Sequence, residues 1–182
     1  MLEKPRDGRE RASPRERTAA VRDLYERHKD EVFGFLVAHT GDRALAEDLL
    51  HESFLKVHAS FERYDEDRPF RPWLFEIVRN TATSARRKRT EKPLDGVPPG
   101  AISDRLLRDL TTREAVAQAK AALAALGDED RALLIQRHGL GMKLEELAVA
   151  MNVTERTVRN RLRAAGEEFT RAWLARKEGG LS

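Results

Sequence analysis

The stretch LEELAVAMNVTERTVRNRLRAAGEEF, residues 144–169, decides how the chain is read. Leu144, Leu147, Ala148 and Met151 recur at three- and four-residue spacing, which predicts a short helix over 144–151 with one apolar stripe. Ala148 is small where two helices must approach closely. Asn152 tolerates a left-handed turn, Val153 can pack beneath that turn, and Thr154 can cap a second helix. Val158, Leu162 and Phe169 then face inward along a helix predicted from 154 to 169, with a continuation to 176. This is the pattern of a helix-turn-helix. Its outward side carries Arg156, Arg159, Asn160 and Arg163, with Thr157 beside them and Arg161 nearer the buried edge. A helix of ordinary diameter enters the major groove, where arginine pairs with guanine or phosphate and asparagine with adenine. First-turn residues are the usual base readers, which points to Arg156, Thr157 and Asn160.

Outward from this motif the chain is helical throughout. It has 182 residues, 40% hydrophobic and 36% charged, and Ala, Leu, Arg and Glu dominate. That composition favours helix, and the charged share fits two small helical domains better than one large core. The net charge is only +3, so distribution matters more than total. Asp42, Glu47, Asp48 and Glu52 stand against Arg43 in one stretch, whereas Arg86, Arg87, Lys88, Arg89 and Lys92 stand against Glu91 in another. Cysteine is absent, so disulfides and thiolate metal sites are excluded. No glycine-rich phosphate loop and no recognisable nucleophile–base pair occurs, so neither catalysis nor a cofactor is expected. No apolar run reaches about 18 residues, so no membrane span is expected.

The helical periods predict an all-α chain in two parts. Residues 1–17 read as a flexible arm, 18–90 as a first domain, 91–111 as a linker, 112–176 as a second domain and 177–182 as a tail. Helices are expected over 18–40, over 42–61 with Asp42 as cap, and from Pro72 to about Arg89 after a charged loop at 63–72. Pro93, Gly96, Pro98, Pro99 and Gly100 mark the linker. Beyond it come a short helix at 104–110, a helix opened by Thr111 and Glu114 and ending at Gly127, and one capped by Asp128 and ending near Gly139.

Two surfaces in the first part stand out. On a helical wheel, Ala46, Leu49, Leu50, Ser53, Phe54, Val57 and Phe61 share the core face, while Asp48, His51, Glu52 and Leu55 lie opposite. A leucine within an acidic outer face marks a candidate partner surface. His51 and His58 lie two turns apart near Glu47, but a zinc-protease spacing would need histidine at 55, where Leu55 stands. On the third helix Trp73, Leu74, Ile77, Val78 and Thr81 are expected inward. Arg71, Phe75, Arg79, Thr83 and Arg86 are expected on the other side, flanked by Asn80 and Arg87. An aromatic ring among arginines suits single-stranded DNA, whose bases stack on rings and whose phosphates meet cations.

These residues resemble a known family. Residues 41–49 (Gly-Asp-Arg-Ala-Leu-Ala-Glu-Asp-Leu), with Glu52 and Phe54, are similar to region 2.2 of extracytoplasmic-function sigma factors of bacterial RNA polymerase. Residues 68–80, from Arg68 through Pro72 and Trp73 to Asn80, resemble regions 2.3 and 2.4, and residues 141–148 with 157–162 resemble region 4.2. The resemblance implies a non-catalytic specificity subunit of two helical domains, in a bacterial cytoplasm. Asp48, His51, Glu52 and Leu55 would dock on the polymerase β′ coiled-coil, and the second domain on the β flap. Arg68, Arg71, Phe75, Arg79, Asn80, Thr83, Arg86 and Arg87 would trap the melted −10 element. Thr154, Arg156, Thr157, Arg159, Asn160 and Arg163 would read the −35 duplex, and the linker would thread toward the active-site and RNA-exit channel. It further implies an anti-sigma partner able to hold the chain at the membrane. His51 stands where the family usually has glutamine, Lys143 where serine is commoner, and Gly127 in place of a common proline. The residues alone also allow a stand-alone helix-turn-helix regulator, or a helical adaptor without a DNA role.

Overall fold

The computed structural model describes residues 14–65, 67–90 and 113–179, all of whose regular structure is helical. The expected helix at 104–110, the Thr111 cap and the linker at 91–111 lie outside these residues. The elements are α1 (Pro14–Thr40), α2 (Arg43–Ser60), α3 (Phe70–Thr90), α4 (Arg113–Ala125), α5 (Asp128–Leu134), α6 (Leu144–Met151) and α7 (Glu155–Gly179).

α1 begins four residues before the expected start, inside the segment read as an arm, and Arg17 pairs with Glu62 at the far end of α2. The α1–α2 turn follows the sequence closely. Gly41 has φ 74°, a conformation open to glycine, and its N–H donates to the Val37 carbonyl at 3.0 Å. Asp42 then caps α2, its carboxylate accepting from the Leu45 N–H at 3.1 Å. A 3₁₀ turn, Phe61–Arg63, ends α2, and α3 opens at Phe70, so the loop is shorter than expected and Pro72 lies within the first helical turn.

Phe35, Leu36, Leu49, Phe54, Val57, Leu74 and Val78 form the core between α1, α2 and α3. An aromatic cluster closes its open end: Tyr64 lies 4.7 Å from the Trp73 ring and Phe70 lies 5.6 Å from it. In the second half Leu123, Leu126, Leu133, Met142, Leu147, Val158 and Ala165 are buried together.

α5 departs from expectation at both ends. Gly127, not Asp128, is its capping residue, and Asp128 sits in the first turn with Glu129 and Asp130, where carboxylates complement the helix dipole. Its far end widens into a π-helical turn, Ile135–Gly139, in which the Leu140 N–H reaches back to the Ile135 carbonyl at 3.0 Å. Nothing in the 3.6-residue period announces that turn.

The two helical regions pack against each other. Their apolar residues merge into one buried cluster, with α3 against α6 and α5, and α1 against α5 and the π turn. Arg131, 3% exposed, ties them together. Its guanidinium donates to the Leu123 carbonyl at 2.7 Å and to that of Leu126 at 2.9 Å, satisfying the C-terminal end of α4, and to the His39 carbonyl of α1 at 3.1 Å.

Candidate nucleic-acid and partner interfaces

The acidic face of α2 stands as the wheel places it. Asp48, His51, Glu52 and Leu55 are all exposed, and Leu55 is 70% accessible, the largest value among the exposed large hydrophobics. Intrahelical contacts hold the polar members in place. His51 Nδ1 lies 2.8 Å from the Glu47 carbonyl, and Glu52 pairs with Lys56 at 2.7 Å. The core face opposite is buried at Ala46, Leu49, Leu50, Ser53, Phe54 and Val57.

The helix-turn-helix also forms from the residues expected. α6 ends at Met151, as its apolar stripe predicts. Asn152 takes the left-handed conformation (φ 52°, ψ 47°) and the Val153 N–H donates to the Ala148 carbonyl at 3.0 Å, which turns the chain sharply. Thr154 caps α7, its hydroxyl accepting from the Thr157 N–H at 3.2 Å. Lys143 gives α6 no side-chain cap, and instead its own N–H donates to Glu146 at 2.8 Å. Along α7, Val158 is fully buried while Arg156, Arg159, Asn160 and Arg163 are exposed. Arg159 pairs with Glu155 at 3.0 Å and Arg163 with Glu167 at 3.4 Å, contacts that a phosphate can displace. Two details differ from expectation. Arg161 is exposed, not at a buried edge, and Thr157 is half-buried with its hydroxyl 3.0 Å from that of Thr154.

The face of α3 read as solvated is where the structure departs most. Phe75 has no accessible surface and packs edge-on to Phe35 at 5.7 Å. Arg79 is 9% exposed, and Thr83 and Arg86 are half-buried. Trp73 and Ile77, expected inward, are half-buried, whereas Leu74, Val78 and Thr81 are buried. Two causes act: the Phe75 ring packs on Phe35 of α1, and the second half of the chain brings Glu146, Glu129 and Asp128 to Arg71, Arg79 and Arg86. Asn80, Arg87 and Arg68 remain exposed, Arg68 lying 3.8 Å from Asp65.

Arg71 is the best-connected side chain on this face. Its guanidinium donates to Glu31 on α1 at 3.0 Å, to Glu146 on α6 at 3.3 Å, and to the Leu140 carbonyl at 2.8 Å. Burial alone would raise the pKa of Glu31, but His28 and Arg71 together hold it below the ordinary carboxylate value. Burial works against the charge on Arg71 too, and the two carboxylates more than offset it, so its pKa is raised. On α1, His39 is 1% exposed and its Nε2–H donates to the Asp128 carbonyl at 3.2 Å. Its pKa falls to about 4, first because burial disfavours the imidazolium and then because Arg86 is near, despite the bond to Asp128. Sequence reasoning missed Glu31, His39, Asp128, Glu129, Arg131 and Glu146 as interface residues. Their partners lie far along the chain, beyond the reach of helical spacing.

Among the described residues no helix is long and apolar enough to cross a membrane. No group of three or more His, Asp or Glu among them is placed to hold a metal ion.

Among the described residues the regular structure is all helical, and an exposed helix-turn-helix, an element of many DNA-binding transcription proteins, stands beside a separate acidic face on α2. Comparison with known proteins sharpens this. The profile of Sigma-70 region 2 matches residues 24–92 and that of Sigma-70 region 4 matches residues 117–165. The ECF RNA polymerase sigma factor SigL of Mycobacterium tuberculosis is 30% identical over 154 residues, covering 81% of this chain and 85% of that protein. The RNA polymerase sigma factor CarQ of Myxococcus xanthus is 46% identical over 68 residues, 37% of this chain and 39% of that one. The chain therefore belongs to the extracytoplasmic-function sigma factors of RNA polymerase. Two solved structures share its fold, each with a TM-score of 0.64. One is CnrH in complex with the cytosolic domain of CnrY, 20% identical, covering 87% of this chain and 90% of that one. The other is the sigma factor RpoE in complex with the anti-sigma factor NepR from Bartonella quintana, 21% identical, covering 84% and 96%.

Proposed function

We propose that this chain binds core RNA polymerase and directs it to promoters by reading a −35 element as duplex and a −10 element as melted single strand. The observation that carries the reading is one polypeptide with two separate outward surfaces: the acidic Leu55-bearing face of α2 and the arginine-lined face of α7. Asp48, His51, Glu52 and Leu55 dock on the β′ coiled-coil, and the second half of the chain meets the β flap. Arg156 and Asn160 contact base edges in the major groove, where one good bidentate pair discriminates by about 1–3 kcal/mol. Arg159 and Arg163 hold phosphates, and the Thr154 cap fixes the angle at which α7 enters.

At the −10 element the chain supplies differential binding energy and no covalent chemistry. Opening a few base pairs costs a few kcal/mol. Arg68 and Arg87 on the backbone and Asn80 on a base edge, the exposed members of this face, offset that cost. An anti-sigma protein is the proposed negative partner, in keeping with the complex of RpoE with the anti-sigma factor NepR, and the cytoplasm the proposed compartment.

Run-off transcription with purified core polymerase on a library of random promoters tests the whole reading. The expected result is chain-dependent initiation from a selected pair of motifs at fixed spacing. No affinity for core enzyme and no new start sites would refute it. Strong footprints from the isolated chain on paired half-sites would favour a stand-alone regulator instead.

A further inference from the structure

The stripe that α1 turns toward α2 ends on a charge. Arg17, Val21, Tyr25 and His28 follow one another at four, four and three residues, so they line one helical face. Val21 is buried, and the Tyr25 ring meets Phe54 of α2 edge-on at 4.8 Å. One turn earlier the same stripe offers Arg17. Its side chain is only 19% exposed, although Arg15, Glu16, Thr18 and Ala19 around it lie in the open. An arginine stem can cover apolar surface, but its guanidinium needs an acceptor. Glu62 takes one terminal nitrogen, and the buried Nε has no hydrogen-bond partner among the described residues. Beside this pair the Thr18 hydroxyl lies 3.4 Å from His58 Nε2, near the end of α2. Residues 14–23 precede the stretch that the Sigma-70 region 2 profile matches, so this grip is an addition to the part shared with the family.

Glu62 is the middle residue of the 3₁₀ turn Phe61–Arg63, where the chain leaves α2. The hydrogen bonds of such a turn are poorer than those of an α-helix, so an outside hold on its side chain counts. Beyond it the Tyr64 N–H donates to the Phe61 carbonyl at 3.1 Å, and the Tyr64 ring lies 4.7 Å from Trp73. The Tyr64 hydroxyl donates to the Arg68 carbonyl at 2.5 Å, and the Arg68 N–H donates to the Asp65 carbonyl at 2.9 Å. The exposed Arg68 is therefore aimed by contacts that lead back to Glu62. We propose that Arg17 is a positioning residue for −10 recognition: through Glu62 it fixes the turn from which Tyr64 carries Arg68 toward the single strand. The proposal rests on the sigma-factor reading of Arg68. Arg17 itself touches no DNA, so its effect passes through Glu62 and depends on the pair.

Transcription by the reconstituted holoenzyme tests this on the promoter it selects and on two versions, one scrambled at −10 and one at −35. Discrimination at each element is the ratio of transcript yields. Arg17→Ala and Glu62→Ala should each lower −10 discrimination by roughly two- to fivefold, the worth of a partly exposed ion pair. The double variant should lose no more than either single one, and Arg17→Glu with Glu62→Arg should recover most of the loss. Discrimination at −35 and affinity for core polymerase should stay at the parent values in all four. Unchanged −10 discrimination in both single variants would overturn the proposal. So would losses that add in the double variant, a loss that the charge swap leaves untouched, or an equal loss at −35, which a merely structural role would give. A parent holoenzyme that discriminates at neither element would instead refute the sigma-factor reading beneath it.

Discussion

The outer faces of α2 and α3 look alike as sequence and differ as structure. Each opposes an apolar stripe, and each mixes charge with one large apolar side chain, Leu55 on α2 and Phe75 on α3. Leu55 is 70% accessible and Phe75 is at 0%. A helical wheel identifies the side of a helix that turns away from its nearest neighbours. It says nothing of whether a later part of the chain returns to cover that side. On α2 nothing among the described residues covers it, whereas on α3 Phe35 of α1 packs on the Phe75 ring and α5 and α6 lie against the rest of the face. An acidic outward face and a basic outward face therefore meet different fates, because the second half carries its own carboxylates to the basic one.

The sharpest way to break this contrast is to truncate both apolar side chains. Phe75→Ala removes a fully buried ring and should cost about 3–5 kcal/mol in urea unfolding. A loss under about 1 kcal/mol would mean that the ring is not buried in solution.

Acid should strain the covered side next. Folded His39 has a pKa of about 4 against an ordinary 6.5, so the unfolded chain binds the extra proton across that window. Stability is then complete above pH 6.5 and is lost as pH falls toward 4, by about 3 kcal/mol at the acid end. Glu31, whose carboxyl is held below its ordinary value, adds its own loss only below about pH 4.5. Urea unfolding at pH 6.5 and pH 5 on the parent chain and on His39→Gln isolates the histidine: the parent should weaken more than the variant, whose remaining loss comes from His138, also held below its ordinary value by burial and by Arg137.

Arg131→Ala should come third. It strips donors from the Leu123, Ala124 and Leu126 carbonyls and from the His39 carbonyl across the interface, costing about 2 kcal/mol. Thermal melting checks the loss, and hydrogen exchange should place it at the end of α4 and along α1. The smallest stability effect belongs to the open face. Leu55→Ala should change unfolding free energy by under about 0.5 kcal/mol while weakening association with core polymerase in a pull-down. A large stability loss there would mean that α2 has an internal partner.

Local chemistry explains what was legible in the sequence. The Asp42 cap, the Gly41 turn, the left-handed Asn152 and the bounds of α6 depend on residues a few positions apart, and all stand as read. The exposed candidates of α2 and α7 were legible for the same reason. The helix that Asp128 was expected to cap begins at Asp128 itself, because Gly127 already adopts the extended cap conformation. The π turn and the Arg71, Arg79 and Arg86 pairings were not legible. They depend on partners from 40 to 75 residues apart in the chain, as the Arg71–Glu31 and Arg71–Glu146 pairs show. Periodicity carries no information at that range.

The central claim is that the second half of the chain packs over the outer face of α3. Single-molecule energy transfer tests it most directly, with dyes at Ala59→Cys on α2 and Ala164→Cys on α7, both exposed positions. The account predicts one high-transfer population for the free chain, lost together with the fold in urea. A folded free chain at low transfer, or spread over many transfer values, would contradict it.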